Sequence, residues 1–256
     1  MTDIKALPVA IAGAGLMGSG IAHAFAVCGF ETRLFDINEA ALDKARTGIT
    51  ATLAAGVERG KLDQATADAA LAGLSFHTSM DSAAASVGLF VETVTEKLAL
   101  KTALMQQAER LALPDAILAT NTSALSVTEI AADTSAADRV IGMHFFNPVH
   151  KMKLVELVMA LATTEATLDR ARAYCEAIGK VSIVVNEAPG LTTSRMSALA
   201  GNEAMWMLQE GTASAEDIDT ALRLGFNHPM GPLELGDLTG WDTRLAVLKY
   251  LHSVLG

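Results

Sequence analysis

The stretch from Val9 to Asp36 constrains this chain more than any other. Val9-Ala10-Ile11-Ala12 is a short apolar run of the kind that forms a buried strand, and Gly13-Ala14-Gly15-Leu16-Met17-Gly18 follows it directly. Ile21, Ala22, Phe25 and Ala26 then recur at helical spacing, and Glu31-Thr32-Arg33-Leu34-Phe35 reads as a second strand with Asp36 at its tip. Strand, G-x-G-x-x-G turn, helix and terminal acid make up the dinucleotide-binding fingerprint. Gly13 permits the tight turn, Gly15 removes a side chain that would block a pyrophosphate, and Gly18 lets the helix lie close on the strand. Leu16 and Met17 open the helix, whose free N–H groups and positive dipole end suit phosphate. Asp36 can accept hydrogen bonds from ribose hydroxyls and would repel a 2′-phosphate, so NAD is expected rather than NADP. A nucleotide fold does not fix a reaction, and the chemistry has to be sought further along the chain.

Composition narrows the classes. Hydrophobic residues make up 51% of the 256 residues and aromatics only 5%, so the core must be aliphatic, as helices on a parallel sheet require. A net charge of -10 argues against nucleic acid or an anionic membrane as a general partner. Cys28 and Cys175 lie in apolar segments without metal or redox spacing, and two buried thiols of a reducing compartment are expected. The first strand begins almost at once, with no signal-like leader, and no apolar run approaches a membrane span. The expected protein is soluble and cytoplasmic, with no metal.

Strand-like and helix-like patterns alternate up to about residue 185. Helical stretches are expected from Glu39 to about Gly60 and from Leu98 to Leu111. Strands are expected at Leu74–Phe76, Gly88–Val94, Ala116–Asn121, Arg139–Phe146, Leu154–Val158 and Val181–Val185. The alternation predicts a Rossmann-type, doubly wound α/β sheet over 1–186. Beyond Glu187-Ala188-Pro189-Gly190 only helical periods remain, which predicts a smaller all-α domain over 187–256. Its first helix should run from about Thr192 to Gln209 and stop at Gly211. The next follows the capping box Ser214-x-x-Asp217 and ends at Gly225, and Pro232 stands near the start of another.

Two further stretches carry chemistry. Asn121-Thr122-Ser123-Ala124-Leu125 ends a strand, and His144-Phe145-Phe146-Asn147-Pro148-Val149 precedes Met152-Lys153-Leu154-Val155-Glu156-Leu157-Val158. In open α/β sheets ligands bind past the carboxyl ends of strands, where Asn121–Ser123 and His144 fall. Imidazole suits the removal of a hydroxyl proton near neutral pH, and works better when a carboxylate holds its other nitrogen. Glu156 lies twelve residues after His144 across an apparent turn at Pro148–Lys151, so a returning strand could set it beside the ring. A buried carboxylate is costly unless paired, which favours the same arrangement.

Together with the glycine fingerprint and Pro229-Met230-Gly231-Pro232-Leu233-Glu234-Leu235, these stretches resemble the L-3-hydroxyacyl-CoA dehydrogenases, including bacterial 3-hydroxybutyryl-CoA dehydrogenases, over nearly the whole chain. The resemblance implies an NAD-dependent oxidoreductase that interconverts an L-3-hydroxyacyl-CoA and a 3-oxoacyl-CoA, most readily short-chain. It implies His144 as general base, Glu156 as its partner and Ser123 as a hydrogen-bond donor to the reacting oxygen. Asn147, Glu96 and Lys101 match positions that contact the cofactor, and Lys61, with Arg59, falls where a basic helical hairpin meets coenzyme A. It also implies a homodimer built through the C-terminal α domain. One departure stands out: relatives carry Asn in the first helix of that domain, where this chain has Ser194 in Thr192-Thr193-Ser194-Arg195. Serine can donate only one hydrogen bond to a thioester carbonyl, which bears on substrate preference. Relatives also continue past the position of Gly256. The alternatives are a related hydroxy-acid or gulonate dehydrogenase and a non-catalytic NAD-binding protein.

Overall fold

A computed structural model of the chain describes residues 4–256. Each short apolar run becomes a strand with helices packed against it. β1 (Val9–Ala12) leads through the glycine turn into α1 (Leu16–Val27), and β2 (Thr32–Phe35) follows. α2 (Glu39–Glu58) begins at Asn38, whose side chain accepts from the Ala40 N–H, and α3 (Gln64–Ala72) begins at Asp63, which accepts from Thr66 in the same way. β3 (Leu74–His77), α4 (Met80–Ala84), β4 (Leu89–Glu92), α5 (Leu98–Leu111), β5 (Ile117–Thr120) and α6 (Val127–Ala132) continue the alternation. β6 (Val140–Phe145), β7 (Leu154–Met159), α7 (Glu165–Ala177) and β8 (Val181–Asn186) complete it.

The strands form one sheet in the order β3-β2-β1-β4-β5-β6-β7-β8. Every neighbouring pair is parallel except β6 and β7, so the last two strands run against the first six. The chain steps outward from β1 to β3 and then returns to β4 on the other side of β1. That reversal is the topological switch point, beside which α/β sheets bind ligands. β1, β4, β5 and β6 are buried at every position, which explains their continuous rather than alternating apolar pattern. Phe25, Phe30 and Tyr174 pack together as an aromatic cluster in a core made mostly of Ala, Val, Ile and Leu. Cys175 is buried there with its thiol pushed up to about 12 by desolvation, whereas Cys28, expected buried, is only half-buried; both are free.

The chain divides into two compact units, Met1–Glu187 and Ala188–Gly256. The second is helical: α8 (Thr193–Glu210), α9 (Ala215–Gly225), α10 (Pro232–Thr239) and α11 (Trp241–Leu255). α8 ends on Gly211 at φ 73, a left-handed residue that glycine adopts without strain. Ser214 caps α9 by accepting from the Asp217 N–H. Asp219 accepts from the N–H groups of Leu233 and Glu234, both at 2.9 Å, and so ties α9 to the start of α10. Ala204, Ile218 and Leu233 form the core of this unit. α3, α4, α6 and α11 were not visible as sequence patterns. α4 and α6 are only 5 and 6 residues long, too short to show a helical period.

Candidate active site

At the switch point the glycines divide by what they must avoid. Gly13 has φ +103, and a Cβ there would lie 2.9 Å from the Thr93 hydroxyl. A Cβ on Gly18 would lie 1.8 Å from the Gly13 carbonyl oxygen, so the fold itself forbids any side chain. Gly15 is different: a Cβ would meet nothing within 4 Å. No side chain caps the N-terminus of α1, so the N–H groups of its first turn, at Leu16, Met17 and Gly18, are left for a ligand. Asp36 braces the loop as well as lining it, for Oδ2 accepts from the Ala14 N–H at 2.8 Å and Oδ1 from the Asn38 N–H at 2.9 Å. Leu16 and Ile37 leave 71% and 85% of their surface open beside these groups, apolar faces of the kind that adenine or ribose can cover. Backbone donors without a lysine, an acid and bare apolar walls fit NAD well. Thr93 escaped the sequence reading. Its hydroxyl donates to the carbonyls of Ala12 and Gly13 at 2.9 and 3.1 Å and locks the turn.

Two strands away, β6 and β7 form the antiparallel hairpin. Its register pairs His144 directly with Glu156, and His144 Nδ1 lies 2.7 Å from Glu156 Oε2. Glu156 is 0% exposed. A directly opposed antiparallel pair puts side chains on the same face, so the register brings the two together across the connection of residues 146–153. The Phe146 ring lies 4.7 Å from the imidazole, centroid to centroid, and Asn121 Oδ1 accepts from the Phe145 N–H at 2.8 Å. Asn147 is exposed at the start of the turn. Lys180 holds that turn from below, donating to the carbonyls of Val149 and Met152.

Between these two places lies a third cluster. Glu96 Oε1 accepts from the Ser123 N–H at 3.0 Å and from the Thr122 hydroxyl at 3.1 Å, with Ser123 Oγ 3.5 Å away. Ser123 itself is exposed. Lys101, which the resemblance places among the cofactor contacts, is 1% exposed. Its ammonium is surrounded by Glu92 Oε1 and Oε2 at 2.9 and 3.0 Å, the Val94 carbonyl at 3.2 Å and Glu96 Oε2 at 3.3 Å. Burial pushes the Glu92 carboxyl up, against the pull of Lys101, the Thr120 hydroxyl and the Val94 N–H. Lys61 and Arg59 are exposed in the link between α2 and α3, and Ser194 is half-buried in the first turn of α8. Among the described residues no helix is long and apolar enough to cross a membrane.

A glycine cradle at the switch point and a histidine–carboxylate pair on the same sheet define an NAD-dependent oxidoreductase. Residues 8–188 match the NAD binding domain of 3-hydroxyacyl-CoA dehydrogenase, and residues 190–256 match its C-terminal domain. The chain belongs to the 3-hydroxyacyl-CoA dehydrogenase family. It is 40% identical to 3-hydroxybutyryl-CoA dehydrogenase of Clostridioides difficile, over 98% of this chain and 89% of that protein. With the mitochondrial hydroxyacyl-coenzyme A dehydrogenase of Rattus norvegicus it shares 38% over 96% of this chain and 80% of that one. The crystal structure of (S)-3-hydroxybutyryl-CoA dehydrogenase from Ralstonia eutropha superposes with a TM-score of 0.91 at 41% identity, covering 96% of this chain and 87% of that one.

Proposed function

We propose that this enzyme interconverts a short-chain L-3-hydroxyacyl-CoA, with 3-hydroxybutyryl-CoA as the leading candidate, and the matching 3-oxoacyl-CoA. The observation that carries the reading is the 2.7 Å contact between His144 Nδ1 and Glu156. That contact commits one ring nitrogen and leaves Nε2 to take a hydroxyl proton from the substrate. The imidazolium so formed is stabilised by the carboxylate behind it, and Glu156 also fixes the ring's tautomer and direction. Ser123 donates from its exposed hydroxyl to the reacting oxygen. Bound NAD supplies the hydride acceptor. Gly13, Gly15, Leu16, Met17 and Gly18 would hold its pyrophosphate, Asp36 its ribose, and Glu96 and Asn147 the region towards the nicotinamide. In the reverse direction His144 returns the proton to the carbonyl oxygen.

Lys61 would meet the phosphates of coenzyme A, and Ser194 would give the thioester carbonyl one hydrogen bond where relatives offer an amide. The names of the relatives favour the four-carbon substrate. The exposed Met196, Leu199, Met205 and Trp206 on α8 support a homodimer formed through the helical domain, testable by light scattering. Two free cysteines, one deeply buried, support a reducing, cytoplasmic setting.

The test is oxidation of NADH by acetoacetyl-CoA, with longer 3-oxoacyl-CoA substrates alongside. Turnover that is fastest at four carbons and strongly favours NADH over NADPH is the expected result. Inertness towards every 3-oxoacyl-CoA, with turnover of a free hydroxy acid, would overturn it.

A further inference from the structure

The Glu92–Lys101 pair is buried, and no role has been given to Glu92 in the reaction described above. Its geometry nevertheless points in one direction. Glu92 closes β4, and its carboxylate accepts four hydrogen bonds from three groups: the Lys101 ammonium on both oxygens, the Val94 N–H at 2.5 Å, and the Thr120 hydroxyl at 2.7 Å. Lys101 comes from α5 with its whole aliphatic stem buried. Anchored on one side by Glu92, its ammonium presents its remaining side to Glu96 Oε2 at 3.3 Å. Glu96 would otherwise be a loose, 41% exposed side chain on the loop between β4 and α5. Its other oxygen receives the Ser123 N–H and the Thr122 hydroxyl, and that hydroxyl in turn accepts from the Leu125 N–H at 2.9 Å. An unbroken chain of charge-assisted contacts therefore runs from the end of β4 to the loop after β5.

We propose that Glu92 and Lys101 are positioning residues that set the place of Ser123 by anchoring Glu96. The inference rests on the role given to Ser123 in the proposed function. Removing the Glu92 charge frees the ammonium to pull Glu96 inward, and the Ser123 loop follows the carboxylate that holds its N–H. An error of about 1 Å at a group that contacts the reacting oxygen can cost about 100-fold in rate, so a change this far from the chemistry is expected to be visible in kcat.

The experiment is a double-mutant cycle with Glu92→Gln and Ser123→Ala in the full-length enzyme, together with amide exchange over 121–126. Glu92→Gln should lower kcat by about 10- to 100-fold in the parent and by less than about twofold in the Ser123→Ala background, because both changes damage the same contact. Equal losses in the two backgrounds overturn the proposal. Exchange over 121–126 should quicken in Glu92→Gln while β1 and β2 keep their protection; unchanged exchange there overturns it too. If Ser123→Ala turns over as fast as the parent, the role given to Ser123 fails, and the exchange result alone decides whether the anchor exists. Glu92→Gln leaves a buried lysine short of a counter-charge, and if it does not fold, Glu92→Gln/Lys101→Met removes both charges at once. The anchor is absent in that pair as well, so it should fold, show the same kcat loss and show the same faster exchange. Recovery of parental kcat in the neutral pair would mean that only the unpaired charge had mattered, and would end the proposal.

Discussion

Two regions of the sheet bury a glutamate completely, and they use it differently. At the end of β4, Glu92 faces the Lys101 ammonium; in the β6–β7 hairpin, Glu156 faces the His144 imidazole. An unpaired carboxylate would be costly in either place, and in both a nitrogen base answers it. The bases differ in what they can release. An ordinary lysine stays protonated to about pH 10 and an ordinary imidazole only to about pH 6.5. In the proposals above the first pair is a fixed strut, and the second takes up and returns a proton during the reaction. On that reading one arrangement becomes framework or catalyst according to the base it is given.

The sharpest way to break that contrast is His144→Gln. Loss of a general base should lower kcat about 10²- to 10⁴-fold while NADH affinity, followed by fluorescence, stays near the parental value. A loss under about threefold would mean that the hairpin pair is framework as well. Glu156→Gln comes next. The amide still accepts from Nδ1 but no longer stabilises an imidazolium, so a drop of about 100-fold in kcat is expected.

The cradle gives a smaller and different effect. Gly15→Ala should leave the melting temperature unchanged, since its Cβ meets nothing, yet raise KM for NADH roughly tenfold by entering the pyrophosphate space. Gly18→Ala would drive a methyl to 1.8 Å from the Gly13 carbonyl and is expected to lower the melting temperature instead. The two measurements separate a glycine kept for a ligand from one kept for the fold. Equal thermal losses would show that Gly15 also serves the framework.

How much of this could be read from the sequence depended on how local each requirement is. The glycine turn, the strand before it and Asp36 are legible because positive φ, close approach and strand-end position are properties of one short stretch. His144 and Glu156 are legible because they lie on consecutive strands joined by the short connection 146–153, so a returning strand sets them side by side. The anchor built from Glu92, Lys101, Glu96 and Ser123 is not. It joins the ends of β4 and β5 through a helix, so its members meet only after a crossover has closed. A lysine in an amphipathic helix start reads as solvated surface, and nothing near Lys101 in sequence announces that its ammonium is buried. Thr93 was missed for the same reason. It acts on the Ala12 and Gly13 carbonyls, which lie some eighty residues earlier in the chain.

One prediction, read in stability rather than in rate, isolates what a histidine does without a glutamate. His23 on α1 has a buried Nδ1 with no hydrogen-bond partner, and its ring stands edge-on to His150, 6.1 Å away. Desolvation, with His150 and Lys180 adding repulsion, lowers its pKa from 6.5 to about 4. The folded protein therefore binds fewer protons than the unfolded chain between those values, and stability rises with pH across that window. The contribution is fully present above about pH 6.5 and is lost as pH falls towards 4. It amounts to roughly 3 kcal/mol at one unit per 1.36 kcal/mol. His23→Gln cannot take up a proton, so its unfolding free energy should fall less steeply from pH 6.5 to 4 than that of the parent. His150 and His77 are also held low by burial, and they keep part of the slope in both proteins. Parallel curves in chemical denaturation would show that His23 finds a counter-charge after all, and that the carboxylate beside His144 is not what sets the two histidines apart.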